Sequence, residues 1–369
     1  MNKVMLKDKN LYYIGGIVRD MILNKESFDI DITYVGNAIE YAQTLNNIEI
    51  IKINEPFGTV KIKHNGQEID LASTRNEIYP KAGHLPVVVE IGCSLKKDVE
   101  RRDFTINTLA KSLETGEIID YLGGLKDIES KTIRVLHDNS FVDDPTRIIR
   151  ALKFSVRFGF DLDSHTKELQ TKYLQNINYD MSYKRVKKEI IETFNLNSQQ
   201  AFERFFNEKI YKLLTIKEFK KPKYNIQKLI EKYPVKNVWL VYLGWCDLSK
   251  LPLTKQESKI IEDYNRLKTL ELKNDYELYK EFKDSEKESI LLYAINIDDK
   301  KVFHYFENLA DIKLNITGKD LQNMGIKPSK KYSECFEYIL KQKIQNPEIN
   351  EQQTALEFFR QQFWFCFVD

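Results

Sequence analysis

The sequence predicts an α+β chain, with strands and helices mixed up to about residue 138 and helices alone beyond it. Short strand signals at Leu11–Ile14 and Phe28–Thr33, and a hairpin signal at Asn65-Gly66, fall early. From SFVDDPTRIIRALKFSVRFGF, Ser140 to Phe160, apolar residues recur at helical spacing, and almost everything afterwards reads as helix. At 369 residues the chain is too long for one compact core, which predicts two or more domains.

Composition narrows the class. Hydrophobic residues at 42% and charged residues at 30% fit a soluble globular protein, and a net charge of +2 confines any nucleic-acid surface to a local patch. Cys93, Cys246, Cys335 and Cys366 lie far apart, with neither metal-ligand spacing nor a disulfide framework, so reduced thiols in a cytoplasmic protein are expected. The start, MNKVMLKDKN, lacks the apolar core of a signal peptide, and no apolar run approaches the length needed to span a membrane.

The apolar run Leu11–Ile14 reads as a strand, breaks at Gly15-Gly16 and restarts as a short helix from Ile17 to Leu23. Such a glycine pair lets backbone N–H groups approach phosphate oxygens at a helix N-terminus. In FDIDIT the period of a strand puts Asp29 and Asp31 on one face and Phe28, Ile30 and Ile32 on the other. Two carboxylates on one face repel, and hard oxygen donors beside a phosphate cradle suit magnesium. Alone, the glycines are a turn and the acids a solvated strand face. About a dozen residues apart, they suggest nucleotidyl transfer, in which two metals activate a 3′-hydroxyl and stabilise departing pyrophosphate.

Ala38–Leu45 predicts a helix, and TVKIKHNGQEIDLAS a hairpin whose second strand ends at Asp70. Asp70 is a candidate third carboxylate for metal or for the attacking hydroxyl; the alternative is an exposed strand acid. Arg75 to Glu100, with Pro80, Gly83, Pro86 and Gly92, reads as a long loop with a short strand at Val87–Val89. In ERRDFTINTLA, Arg101, Arg102 and Asp103 open a helix, either to contact ribose and triphosphate or as a charged first turn capped by Asp103. Asn107 falls one turn further, on the side of Asp103. IIDYLGGLKDI supplies another strand and a Gly-Gly turn. Asp144 caps a helix that has Pro145 at its first position and an apolar stripe through Ile148, Leu152 and Val156. MSYKRVKKEIIETF opens at Ser182 and displays Lys184, Arg185, Lys187 and Lys188, either as a solvated face or for RNA phosphates. His137-Asp138 invites a metal phosphohydrolase reading, but five histidines and no partner cluster argue against it.

In order, GGIVRD, DID, RRDFTINTLA and DDPTRIIRALKF resemble the bacterial-type (class II) tRNA nucleotidyltransferase and poly(A) polymerase family, and most of all its CCA-adding enzymes. These segments cover roughly residues 11 to 160, and MSYKRVKKEI and TGKDLQNMGIKP also fit. The resemblance implies a polymerase-β-like nucleotidyltransferase head (1–138), then a helical neck with a base-reading helix (139–198), a helical body (199–300) and a tRNA-binding tail (301–369). It implies that Asp29 and Asp31 bind Mg2+, two ions being expected. Gly15, Gly16, Arg19 and Asp20 would form the triphosphate end, and Arg101 to Thr105 would lie near the sugar. Asp144 and Arg147 would recognise the base, with Arg150 placed among the nucleotide-binding residues. The acid before Asp144 is Asp143 where the family motif has Glu, which leaves the base-reading pair intact. The helix from Ser182 to Glu189 would support the base-reading helix.

The function so implied is addition of CMP, CMP and AMP to tRNA 3′ ends from CTP and ATP, with no membrane and no obligate protein partner. Transfer is direct, since no Ser-His or Cys-His pairing calls for a protein nucleophile. Bacterial poly(A) polymerase shares the head motifs but tends to carry basic extensions. Relatives that add only CC have a shortened loop before RRDFT, whereas Asn76 to Glu100 looks full length; A addition alone stays open. A non-catalytic RNA-binding module is disfavoured by the intact Asp29 and Asp31.

Overall fold

The computed structural model describes residues 6, 8–26, 29–219, 221–222 and 224–364, the last three without their side chains. The chain divides into two compact units, residues 1–218 with 247–252, and residues 219–246 with 253–369. Among the described residues no helix is long and apolar enough to cross a membrane. Cys93, Cys246 and Cys335 are buried free thiols, while Cys366 and Phe28 lie outside the described residues.

Among the described residues the first unit has early strands β1 (Leu11–Ile14), β2 (Asp31–Tyr34), β3 (Ile48–Asn54), β4 (Thr59–His64), β5 (Gln67–Ser73), β6 (Arg75–Ile78), β7 (Val87–Ile91), β8 (Ala110–Ser112) and β9 (Ile118–Ile119). Seven form one mixed sheet in the order β3-β4-β5-β2-β1-β8-β9, with only β2 and β5 parallel neighbours. The β4–β5 turn uses Asn65 (φ 50°) and Gly66 (φ 78°), the left-handed pair that a two-residue hairpin requires. Helices α1 (Gly16–Ile22) and α2 (Ala38–Thr44) follow β1 and β2. The Asn37 side chain caps α2 by accepting from Ile39 N and Glu40 N. One core cluster joins Leu11, Ile32, Val60, Ile62, Ile69 and Leu71 to Ala38 and Ala42; another joins Ile14 and Ala110 to Leu95 and Val99.

The structure departs from the sequence expectations in four places here. Strand β3 was not expected, because IEIIKIN does not alternate cleanly; the pairing slips between Ile50 and Lys52, and Ile50, Ile51 and Ile53 stay exposed. Strand β5 runs on through Asp70 to Ser73, since the alternation continues through buried Leu71. The expected loop from Arg75 to Glu100 is instead an antiparallel ribbon, β6–β7, followed by α3 (Leu95–Glu100), with prolines and glycines confined to its tip and exit. That tip is held: Gly83 N donates to Asp143 O at 2.9 Å and Ser182 N donates to Gly83 O at 3.0 Å. Finally, Arg101 to Asp103 do not open a helix. They end α3, which Ser94 caps, and lead into a single tight turn at Thr105–Asn107.

The polypeptide then becomes helical through α4 (Gly124–Glu129), α5 (Ser140–Asp143), α6 (Thr146–Phe158), α7 (Ser164–Gln175), α8 (Tyr183–Phe194) and α9 (Ser198–Asn207), with two short parallel strands, β10 (Thr132–Ile133) and β11 (Asp161–Leu162). Helix α6 buries Ile148, Ile149, Leu152 and Phe154 and stops at Gly159, whose φ of 71° is the left-handed end that glycine accepts readily. Phe154 meets the fully buried Phe104 edge-on at 5.8 Å, a pair worth about 0.5–1.5 kcal/mol beyond its burial.

The second unit is built from α10 (Ile226–Lys232), α11 (Val238–Leu243), α12 (Lys255–Leu267), α13 (Asp275–Lys283), α14 (Lys287–Asn296), α15 (Asp299–His304), α16 (Gly318–Asn323), α17 (Lys331–Gln345) and α18 (Glu351–Trp364). Thr254 and Glu257 form a capping box at α12, and Leu321, Cys335, Ile339 and Ala355 pack α16 to α18 together. The unit boundary after Glu218 falls inside the expected body.

Candidate active site

Parallel pairing of β2 with β5 sets Asp31 directly opposite Asp70. Asp29 lies exposed in a bend just before β2, one residue ahead of the first ladder contact, where Asp70 N donates to Ile30 O at 2.9 Å. The three carboxylates nevertheless share one field. Burial pushes the Asp31 carboxyl above the ordinary aspartate range; Asp70 and Asp29 push the same way, against Arg102 and Lys61. Lys61 pairs with Asp70 at 3.3 Å from the neighbouring strand β4. Among the described residues no group of three or more carboxylate, histidine or cysteine side chains is placed to hold a metal ion.

Beside them stands the glycine turn. Gly15 has φ 71°, and a Cβ there would fall 2.6 Å from Arg102 Nη1 and 3.3 Å from the Asn107 carbonyl, so glycine is required by both backbone and space. Gly16 differs. Its φ is ordinary and a Cβ would meet the Arg19 Nη2 at 3.5 Å, a normal contact, so the fold does not demand glycine there. Arg102 donates to Asp98 Oδ2 at 3.3 Å, while its buried Nε has no partner, which leaves a donor without an acceptor between the glycine turn and the acidic strands.

Arg19 and Asp20, expected to form the triphosphate end of the pocket with the glycines, are 3% and 2% exposed. Arg19 is closed on Asp20 at 2.7 Å, donates to Asn107 Oδ1, and stacks over the Phe154 and Phe158 rings; Arg157 takes the other Asp20 oxygen at 2.7 Å. They brace the turn from behind. Arg101 likewise faces the ribbon, donating to Asp98 at 2.8 Å and Glu77 at 3.0 Å. Asn107 does lie on the side of Asp103, its Nδ2 donating at 2.9 Å, although across a tight turn rather than along a helix. Asp103 accepts from Arg150 Nε at 2.8 Å, and Arg150 and Lys153 continue to Glu189 at 3.2 and 2.6 Å. Burial alone would raise Asp103; Arg150, Asn107 and Arg147 instead bring it down to about 2.

The expected base-reading pair is buried, Asp144 at 4% and Arg147 at 3% exposed. Asp144 caps α6, its Oδ1 accepting from Thr146 N at 3.1 Å and Thr146 Oγ1 at 2.6 Å, while Oδ2 accepts from Arg185 at 2.5 Å. Arg147 donates to Ser140 Oγ at 2.7 Å, and to Tyr79 Oη and the Arg101 carbonyl at 3.3 Å each. Arg185 therefore does not join a surface patch: it is turned inward, and Lys187 donates to the Pro252 carbonyl at 2.9 Å, leaving Lys184 and Lys188 outward. His137 and Asp138 make ordinary pairs with Asp143 and His165.

Sequence reasoning missed Asp98, which gathers Arg101 and Arg102, and Glu189, Tyr79 and Lys61. Asp98 could have been found, since it precedes those arginines by three and four residues on a helix. The others act across elements, and no local spacing announces them.

Residues 11–134 match the poly(A) polymerase head domain. The A-adding tRNA nucleotidyltransferase of Geobacter sulfurreducens is 47% identical over 165 residues, which is 43% of this chain but 18% of that protein. The A-adding enzyme of Halalkalibacterium halodurans is 28% identical over 387 aligned residues, covering 96% of this chain and 89% of that one. A solved CCA-adding enzyme in its apo form superposes with a TM-score of 0.79 at 27% identity, covering 95% and 91% of the two chains. The head region thus matches the poly(A) polymerase head domain, and the chain along nearly its whole length is similar to A-adding and CCA-adding tRNA nucleotidyltransferases.

Proposed function

We propose that this chain transfers nucleotides from CTP and ATP to the 3′ end of tRNA, in the manner of its A-adding and CCA-adding relatives. The observation that carries the reading is the facing of Asp31 and Asp70 beside the Gly15 turn, with the Arg102 guanidinium against that turn and its charge acting on Asp31. Terminal AMP addition has the stronger support, because over the head A-adding relatives reach 47% and 44% identity against 35% and 37% for two CCA-adding ones, and an A-adding relative aligns along 96% of the chain. Synthesis of the whole CCA end is the second reading, favoured by the likeness to a CCA-adding structure and by a full-length ribbon before RRDFT.

The donor set fits a divalent cation: hard carboxylate oxygens of Asp31, Asp70 and Asp29 whose mutual repulsion a cation would relieve. When bound, magnesium would lower the pKa of the attacking 3′-hydroxyl and neutralise charge at the α-phosphate and pyrophosphate. The protein's own residues do the positioning. Gly15 and Gly16 keep the backbone close to the triphosphate, and Arg102, whose Nη1 lies against that turn, takes a phosphate oxygen. Asp103 and Asn107, fixed by Arg150 and Arg19, face the sugar. The 3′-hydroxyl oxygen bonds to the α-phosphorus as the bond to pyrophosphate breaks, and the hydroxyl proton leaves towards the carboxylate cluster.

Base choice follows from Asp144 and Arg147. Cytosine and adenine each present an amino donor beside a ring-nitrogen acceptor, which a carboxylate and a guanidinium complement; uracil and guanine present the reverse. Arg147 keeps two N–H donors beyond its three bonds, so the pair reads a base without dissolving its support. The working division is head 1–138, neck 139–198, body 199–300 and tail 301–369, in the cytoplasm, with Lys184 and Lys188 touching RNA phosphates. The test supplies CTP and ATP separately to tRNA lacking CCA, ending in C, or ending in CC. Incorporation of AMP alone, on CC ends, gives the A-adding activity; incorporation on all three ends gives the full CCA activity; no incorporation refutes both.

A further inference from the structure

Four in-register residues cross the sheet on the strands that carry the acids. Asp31 of β2 is opposite Asp70 of β5, Asp70 is opposite Lys61 of β4, and Lys61 is opposite Lys52 of β3. Residues opposite one another share a face, with Cβ atoms about 4.5–5.5 Å apart. For Lys61 and Asp70 that face is the one away from the core, since Val60 and Ile62 of β4 and Ile69 and Leu71 of β5 are buried on the other. The backbone thus sets Asp70 between a carboxylate and an ammonium, and Lys61 between a carboxylate and a second lysine. Like charges on the outer sides drive both residues towards each other.

The contact is made. Lys61 Nζ lies 3.3 Å from Asp70 Oδ2 and 3.5 Å from Oε2 of Glu68, two residues back on the same strand and face. The charge of Lys61 also reaches Asp31. The Lys61 and Asp70 side chains are 35% and 46% exposed, so ions and water have access to the pair, unlike the closed surroundings of Asp98 and Asp103. Solvent screens an open ion pair of this kind, and its partners exchange readily. Glu68 gives the ammonium a second seat. Lys61 can leave Asp70 and stay paired on Glu68, so the exchange strands no charge.

We propose that Lys61 is a positioning residue for the third carboxylate: it occupies Asp70 while the site is empty and yields it to an entering divalent cation by moving onto Glu68. The inference rests on the cation site proposed above and adds to it a competitor supplied by the protein itself. A cation reaching the site alone must displace an ammonium, whereas one arriving with a triphosphate brings further oxygen ligands of its own. Lys61 therefore lowers the affinity of the nucleotide-free chain for divalent ions and couples their binding to that of the nucleotide.

The test titrates Mn2+ into the full chain without nucleotide or tRNA and follows the unbound ion by electron paramagnetic resonance. Lys61→Met, which keeps the aliphatic stem, is expected to tighten binding about fivefold, the upper end for a cross-strand pair of opposite charges. In an Asp70→Asn background the same substitution is expected to change affinity by less than about 1.5-fold, because the carboxylate competed for is gone. Wild-type affinity in Lys61→Met overturns the proposal, as does the absence of binding by both the unaltered chain and Lys61→Met. An equal gain with and without Asp70 overturns it too, since Lys61 would then be only a source of diffuse positive charge. Lys61→Gln repeats the comparison if Lys61→Met fails to fold. Asp31→Asn separates the two readings. If it binds Mn2+ like the unaltered chain, the cation site is wrong and this proposal falls with it; if it loses Mn2+ while Lys61→Met gains none, only the role of Lys61 falls.

Discussion

Two acidic regions lie close together in the head and are built on opposite principles. On β2 and β5, Asp31 and Asp70 face one another with Asp29 nearby, and the Asp31 carboxyl is driven above its ordinary range. Around Asp103, the same residue type is paired with Arg150 and Asn107 and held at about 2. The fold therefore can compensate buried aspartates thoroughly, and on β2–β5 it does not. Burial first, with Asp70 and Asp29 behind it, outweighs Arg102 and Lys61 at Asp31, which is the balance expected of the cation site proposed above, whereas the network around Asp103 is compensated.

The sharpest way to break that contrast is to neutralise each region in turn. Asp31→Asn is expected to lower AMP incorporation by about 10³-fold, the scale of a removed electrostatic stabiliser, with no loss of melting temperature in chelator, because one repelling charge is gone. A drop in melting temperature with activity intact would reverse the assignment. Asp103→Ala is expected to destabilise the fold by about 3 kcal/mol in denaturant unfolding, because it leaves Arg150 with Glu189 alone.

Acid sharpens the same comparison. The folded value of Asp103, about 2, lies below the ordinary 3.8, so its contribution of about 2 kcal/mol is complete above about pH 4 and is lost as pH falls towards 2. Asp31 is raised, so its protonation favours the folded chain as pH falls. Unfolding series from about pH 5 to 2 should therefore flatten for Asp103→Asn and steepen for Asp31→Asn. Identical profiles for both variants would erase the distinction.

A smaller effect separates reading from capping. Asp144→Asn keeps an acceptor for Thr146 but can also donate to a carbonyl, so selection of ATP over GTP is expected to weaken by about tenfold, measured as a ratio of kcat/KM values. An unchanged ratio leaves Asp144 as a cap and as the partner of Arg185. The smallest expected change comes from Lys184→Ala with Lys188→Ala, which should weaken tRNA binding a few-fold and lower its salt slope without altering base choice; a changed base preference would show that these lysines reach the pocket.

Much of this was legible in the sequence because its signals are local. The Asn65-Gly66 turn, the Gly15 break, the Asn107–Asp103 contact and the start of α6 each rest on a few adjacent residues, and the structure contains all of them. What escaped is long-range. Asp31 meets Asp70 through a parallel pairing across 39 positions, Arg147 meets Tyr79 across 68, and Arg19 is drawn inward by aromatic rings of α6. The inward turn of Arg185 was hidden for the same reason, since Lys184, Arg185, Lys187 and Lys188 look alike until Asp144 selects one of them. Prolines and glycines between 75 and 100 misled in the other direction: they punctuate a ribbon's tip, and the β-branched run Val87–Val89 was the better guide.

The terminal strand of the sheet carries a consequence for handling the protein. Strand β3 ends the seven-stranded array with Ile50, Ile51 and Ile53 open to solvent, the composition of a sticky edge that could template fibrils. Its irregular register at Ile50 and Lys52 keeps that edge from presenting a flat, evenly spaced row of amides, and the lysine places a charge in its middle. Straightening that crooked step is expected to promote self-association at high concentration, an effect separable from the site on β2 and β5.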